Sequence, residues 1–529
     1  DKILNCLQNL DYRYDSYINS NFEVILIDSS KFCSKEIVEY LKDINDERII
    51  YKKIEKNLGI SENTNEAIKI ATGDYIAFCD HDDTISEDAL FEVVRAINEK
   101  NADFIYSDED KINNEVERFD PYFKPDFSPT TLECTNYITH FVVIKKSLCD
   151  EIGKLDIRFD GAQDFDYVLR TTEKARKIVH ISKILYHWRA HKNSTANVAE
   201  AKNYAYEAGV KVVAEHLKRI GKEGIVENPG EVPGVYKIKY KINGNPKVSI
   251  LIPNKDNYKV LKKCLDSILD LTTYENYEIL ILENNSTDEK TLKYYEKIKQ
   301  NSKIRVLKIE NTEFNYSKII NFGVKNSNAD FILQLNNDTK LLTPDWLEIF
   351  IGYAQNKEIG AVGGRLYYPD KSIQHAGIAY GIDEKAGNLL VNLPYGVHGY
   401  FGYEALTRNV SAVTGACLFA RREIYEEVGY MDEKLFKVAF NDVDFCLKIL
   451  EKGYQVVYNP YVELIHYESK TRGYEDTLEK KERFEEETKN FQSKLREYMK
   501  NLDSYYNKNL SRQNCNFTIK TYEGIKKDD

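Results

Sequence analysis

Paired cysteines are missing from this chain. Its nine cysteines are scattered from Cys6 to Cys515 with no C-x-x-C spacing, which speaks against a disulfide framework and for a reduced, cytosolic compartment. Long apolar runs are missing as well. No stretch of about 18 apolar residues occurs, so no membrane span is expected. A basic patch is also absent: the formal charge is −11 and Lys alternates with Glu throughout, which excludes nucleic acid as an expected partner. The chain opens on Asp1 and not on Met, leaving a signal or anchor upstream an open question.

What is present is enough for two or more domains. The 529 residues exceed one core, and 42% hydrophobic content lets each half bury its own. The stretch Gly73–Asp83, GDYIAFCDHDD, carries the first chemical signal. Its run Tyr75–Cys79 is short, β-branched and aromatic, which predicts a strand. In an open α/β sheet ligands bind beyond the carboxyl ends of strands, where Asp80, Asp82 and Asp83 would stand. Hard oxygen ligands so placed suit Mg2+ or Mn2+ that must also hold phosphates. A second version, ADFILQLNNDT at Ala329–Thr339, ends in Asn336, Asn337 and Asp338.

These two stretches belong to an internal repeat. Cys6 faces Cys264 at an offset of 264 − 6 = 258, Asp82 faces Asp338 at 338 − 82 = 256, and Asp28 faces Glu283. Further on, GAQDFDYVLR at Gly161–Arg170 answers AFNDVDFCLK at Ala439–Lys448. An apolar stretch ending in His follows each, at gaps of 187 − 164 = 23 and 466 − 442 = 24. Between Asp82 and Asp164 the gap is 82, against 104 between Asp338 and Asp442, so the second copy carries an insertion, placed within Leu366–Tyr403. Its tyrosines and Phe401 suit either stacking on a sugar ring or burial in a folded loop. The second copy begins with PKVSILIPNKDNY, a buried strand running into a polar turn. The first has no counterpart, so the chain is expected to be a fragment.

Between the copies, Val198–Arg219 reads as an amphipathic helix, Gly221–Gly234 as a linker and Tyr236–Ile242 as an edge strand. Glu475–Leu502 is dense in Glu and Lys at helical spacing. A solvated helix packed on the second domain is preferred to a partner-binding coil.

Together, N-x-G at Asn57–Gly59, GDYIAFCDHDD, QDFDYVLR and YHWRAHKNSTA resemble a family 2 glycosyltransferase of the GT-A fold, and IPNKD, LENNSTD, LQLNNDT, VTGACLFARREIYEEVG, FNDVDFCLK and IHYES resemble it again. The resemblance implies an α/β architecture of two tandem GT-A domains, at 1–197 and 246–474, joined by a helix and linker at 198–245 and followed by a helical tail at 475–529. It implies inverting transfer from a UDP- or dTDP-sugar onto a glycan or lipid-linked glycan of the cell surface, the latter compatible with peripheral association at the cytoplasmic face of a membrane. Mn2+ or Mg2+ would be held by Asp338 and His466 in the second domain and by Asp82 and His187 in the first. The donor would lie against Pro253, Asp256, Glu283 and Asn336, and against Asp28, Asp80 and Asp83.

Asp442 and Asp164 would be the bases that take the acceptor proton. Positions 442 and 444 are about 200° apart on a helix, so only one of each pair can face a given ligand. A lone His at a strand end is as readily a core residue as a ligand, and an Asp at a helix start as readily a cap as a base. Two rivals accompany this reading. One or both domains could bind glycan or a partner without turnover. A nucleotidyltransferase would instead show a Gly-rich basic loop, and Ile252–Lys259 is not one.

Overall fold

The computed structural model describes residues 21–30, 35–190, 199–309, 314–467, 477–498 and 503–520. The chain divides into two units, Asp1–Ile238 and Lys239–Asp529, and the division falls inside the 198–245 stretch. Among the described residues no helix is long and apolar enough to cross a membrane.

The second unit is built on a ten-stranded sheet. The strand Val248–Asn254 lies at its parallel end, between Tyr277–Asn284 on one side and Phe331–Leu335 on the other. Ile304–Ile309 extends the parallel set beyond Tyr277–Asn284. Runs such as VSILI and EILIL are buried along their whole length, because helices cover both faces of a parallel sheet. The helix Tyr258–Leu271 buries Leu261, Cys264, Leu265 and Ile268, three and four residues apart on one face.

Direction changes at Cys417–Arg421, which runs antiparallel to Phe331–Leu335. It pairs in turn with Ile359–Tyr367, and that strand runs parallel to Gln455–His466. The carboxyl ends of Val248–Asn254, Tyr277–Asn284 and Phe331–Leu335 therefore open beside this reversal, where an open α/β sheet leaves its crevice.

The first unit repeats the second half of this plan. Its larger sheet runs Tyr75–Phe78, Val142–Lys145, Phe104–Ile112, Ile178–Arg189 and Thr84–Ile85, with Arg118–Tyr122 on the side. Val24–Asp28 and Ile49–Lys53 form a separate parallel pair. Among the described residues no strand takes the place that Val248–Asn254 holds in the second unit.

The insertion of the second unit is a folded subdomain. Ile378–Ile382 pairs with Lys385–Asn388, Tyr367 and Tyr380 are buried, and Tyr400 stacks on Phe517 at 5.3 Å. Tyr395 and Phe401 remain exposed. The Glu/Lys-rich tail forms the helix Leu478–Tyr498, and Ala199–Arg219 is helical in the first unit.

Candidate active site

In the second unit the strand ends bring the sequence-marked residues into one crevice. Register sets Pro253 beside Leu282 and Asn254 beside Glu283. Beyond them the chain turns sharply, with Asp256 and Asn257 both at positive φ. The Asp256 carboxylate accepts the N–H groups of Thr287 and Asp288, each at 2.8 Å. Glu283 accepts the N–H of Ser286 at 2.5 Å. Asn254 ties this corner to the acidic turn, since its Oδ1 accepts from Asn337 Nδ2 at 2.6 Å.

Asp338 and His466 meet because the short strand Thr339–Leu341 pairs antiparallel with Gln455–His466, with Thr339 opposite His466. His466 Nε2 lies 3.1 Å from Asp338 Oδ1 and 3.2 Å from Asn336 Nδ2. Its Nδ1 lies 2.7 Å from Gln374 Oε1. An amide oxygen only accepts, so Nδ1 carries a proton and Nε2 is the ring nitrogen that faces the Asp338 carboxylate. Two acceptors facing each other suit a shared cation, and a buried amide fixing the far nitrogen is the usual support of a ligating histidine.

Asp442 opens the helix Asn441–Glu451. Its carboxylate accepts the N–H of Gly415 at 2.8 Å and of Val443 at 2.9 Å. Burial pushes its pKa above the ordinary carboxylate value, against these hydrogen bonds, which pull it down. One residue on, Ala416 O accepts the N–H of Asn336 at 3.1 Å. The turn Thr414–Ala416 thus links the Asp442 helix to the Asn336–Asp338 turn. Asp444 points elsewhere, bonding to Lys494 and lying 3.5 Å from Lys448.

The first unit arranges its acids differently. Asp28 accepts from the Ser30 N–H and hydroxyl, from Tyr51 Oη at 2.8 Å and from Lys53 Nζ at 3.0 Å. Burial alone would raise its pKa, but these bonds outweigh it and hold the carboxyl down at about 2. Ligand atoms of Asp80, Asp83 and His140 all lie within 4.8 Å of one another. Tyr186 organises all three. Its hydroxyl accepts the Asp80 N–H at 3.1 Å and donates to Asp83 at 2.6 Å, and its ring stacks on His140 at 4.6 Å. Burial pushes Asp83 up to about 6 against the hydrogen bonds from the Arg189 N–H and Tyr186.

Asp82 is not a member of that trio. Its backbone oxygen accepts from Arg189 Nε at 2.7 Å. His187 Nδ1 lies 2.5 Å from Asp110 Oδ1, so a carboxylate does there what Gln374 does for His466. Asp164 is open to solvent and accepts from Asn136 at 3.0 Å. His140 was not marked by the sequence. Its place follows from the antiparallel register of Phe78 with Val142, which sets residue 140 across from residue 80. In the second unit the same ladder sets Ala416, with no ligand atom in its side chain, across from Asn336.

Comparison with known proteins bears on both units. The chain is 40% identical over 483 residues to the protein y4gI of Sinorhizobium fredii, covering 89% of this chain and 52% of that one. It is 37% identical over 412 residues to the O-antigen biosynthesis protein RfbC of Myxococcus xanthus, covering 77% of this chain and 32% of that one. The chain therefore spans about half, or a third, of the length of these relatives. Among solved structures, GalNAc-T7 with UDP, GalNAc and Mn2+ matches 44% of this chain and 45% of its own at 14% identity and a TM-score of 0.37. The mannosyltransferase PcManGT from Pyrobaculum calidifontis matches 52% of this chain and 69% of its own at 14% identity and a TM-score of 0.34. The model of glycosyl transferase family 2 matches residues 2–153 and again 249–429, and that of glycosyl transferase family group 2 matches 391–484. With its two GT-A-like sheets each matched over most of its core, the chain belongs to glycosyl transferase family 2 and carries that family's domain in tandem.

Proposed function

We propose that the second unit transfers a sugar, with inversion, from a nucleoside diphosphate donor to a hydroxyl of a growing surface glycan. The observation that carries this reading is the facing pair Asp338 Oδ1 and His466 Nε2, fixed from behind by Gln374 and linked through the turn 414–416 to Asp442. Asp338 and His466 would hold Mn2+ or Mg2+, which supplies a Lewis acid for the charge that builds on the departing diphosphate. Asp442 takes the acceptor proton as the acceptor oxygen bonds to the anomeric carbon and the bond from that carbon to the phosphate oxygen breaks. Burial raises its pKa, which makes it a stronger base than an ordinary carboxylate. Pro253, Asp256 and Glu283 line the end of the crevice where the nucleoside would lie. The relative named for O-antigen biosynthesis supports a polysaccharide or lipid-linked acceptor, and UDP- and dTDP-sugars are the donors to try.

The test is a Mn2+-supplemented screen of nucleotide-sugar hydrolysis and transfer with the chain and its Asp338→Ala variant. Turnover of one donor is expected, with a loss on the order of a hundredfold or more in the variant. Turnover that survives the change would move the chemistry to the first unit. Silence towards every donor and acceptor would favour binding alone.

A further inference from the structure

The helix Asn441–Glu451 begins without a side-chain cap of its own, and the residue before it, Phe440, has φ +58°. A bulky residue in the left-handed region persists only where its surroundings hold it. Here the surroundings come from the tail. Glu487 is buried and accepts the N–H groups of Val438 at 3.0 Å and Ala439 at 2.7 Å. Phe491 lies flat on Phe440, with ring centroids 4.6 Å apart and 11° between planes, and Phe484 stacks on the same ring at 5.9 Å. Lys494 reaches Asp444. Residues 484, 487, 491 and 494 are three, four and three apart, which is one face of a helix.

The first unit repeats the device with different residues. Asp166, the counterpart of Asp444, accepts from Arg170 at 2.8 Å. It also lies 3.5 Å from Arg219 on the helix Ala199–Arg219. In both units the second acid of the pair is tied to the helix that follows the His-bearing strand.

We propose that the helix Leu478–Tyr498 fixes the backbone that aims Asp442, with Glu487 and Lys494 as positioning residues. The inference rests on the reading of Asp442 as the base. Glu487 supplies acceptors to the N–H groups of Val438 and Ala439 in the turn ahead of the helix. A buried carboxylate is costly unless its bonds are made, so the contact holds in one arrangement.

The test compares Glu487→Ala, Glu487→Gln and Lys494→Met with the unaltered full chain, by hydrogen exchange over residues 438–446 and by turnover of the donor found in the screen. Glu487→Ala is expected to speed exchange in that segment and to lower kcat on the order of 10- to 100-fold, with KM for the donor within about twofold, as for a displaced reacting group. Glu487→Gln keeps one of the two acceptor oxygens and sets an amide NH2 against the other N–H, so it should fall between Glu487→Ala and the unaltered chain in both. Lys494→Met should move both in the direction of Glu487→Ala. Unchanged exchange overturns the proposal, and so does faster exchange with unchanged kcat. If the unaltered chain turns over no donor, the assignment of Asp442 falls by itself, and exchange alone then decides whether the helix fixes the segment.

Discussion

Asp28 and Asp83 respond to pH with opposite signs. Asp28 is held at about 2, below its ordinary 3.8. Its contribution to stability is therefore present above about pH 4 and lost as pH falls from there towards 2, and it is worth about 2 kcal/mol. Urea unfolding of Asp28→Asn should show that loss near neutral pH and almost none at pH 2. Asp83, raised to about 6, favours its protonated form in the fold, so it weakens folding increasingly as pH rises from about 4 to 6. The acids themselves were legible in the sequence, because each closes an apolar run. Their partners were not. Tyr51 and Lys53 reach Asp28 across a strand pair, and His140 reaches Asp80 through an antiparallel ladder whose register no local pattern specifies.

At the scale of elements, close approach does what sequence runs cannot show. A Cβ on Gly360 would stand 2.3 Å from Ile449 Cγ2 and 2.9 Å from Tyr454 Cβ, so the strand Ile359–Tyr367 lies directly against the helix that carries Asp442. Gly360→Ala should destabilise the protein by about 1–3 kcal/mol through overpacking, read as a lower urea midpoint at unchanged slope. Strands such as Val248–Asn254 could be read from buried runs alone. The reversal at Cys417–Arg421 could not, since a short apolar run has no direction until it pairs. The tail shows a similar limit. Its Glu and Lys content reads as a solvated helix, and only the placement of Phe440 reveals that the stripe from Phe484 to Lys494 faces inwards.

For the molecule as a whole, duplication was the most legible feature, because two offsets of 258 and 256 survive sequence drift that hides individual contacts. Each unit buries its own apolar set, Phe104, Ile105 and Val143 in one and Ile250, Ile281 and Leu333 in the other. A fragment from Lys239 to Asp529 is accordingly expected to fold alone, with a cooperative thermal transition by circular dichroism. A broad, non-cooperative melt would show that the division at Ile238 does not mark an independent core. The insertion between Leu366 and Tyr403 was legible as extra length, whereas its closure by Tyr400 on Phe517 was not, because those partners lie more than a hundred residues apart.

The inward stripe also bears on where such proteins are cut for expression. The two family models end their matches at residues 429 and 484, so a clone trimmed to the first would omit Asp442 and His466. One trimmed to the second would keep the crevice and discard Glu487, Phe491 and Lys494. If Glu487 and Lys494 position Asp442 as proposed, the fragment ending at 484 would keep every residue of the crevice and still turn over more slowly than the full chain.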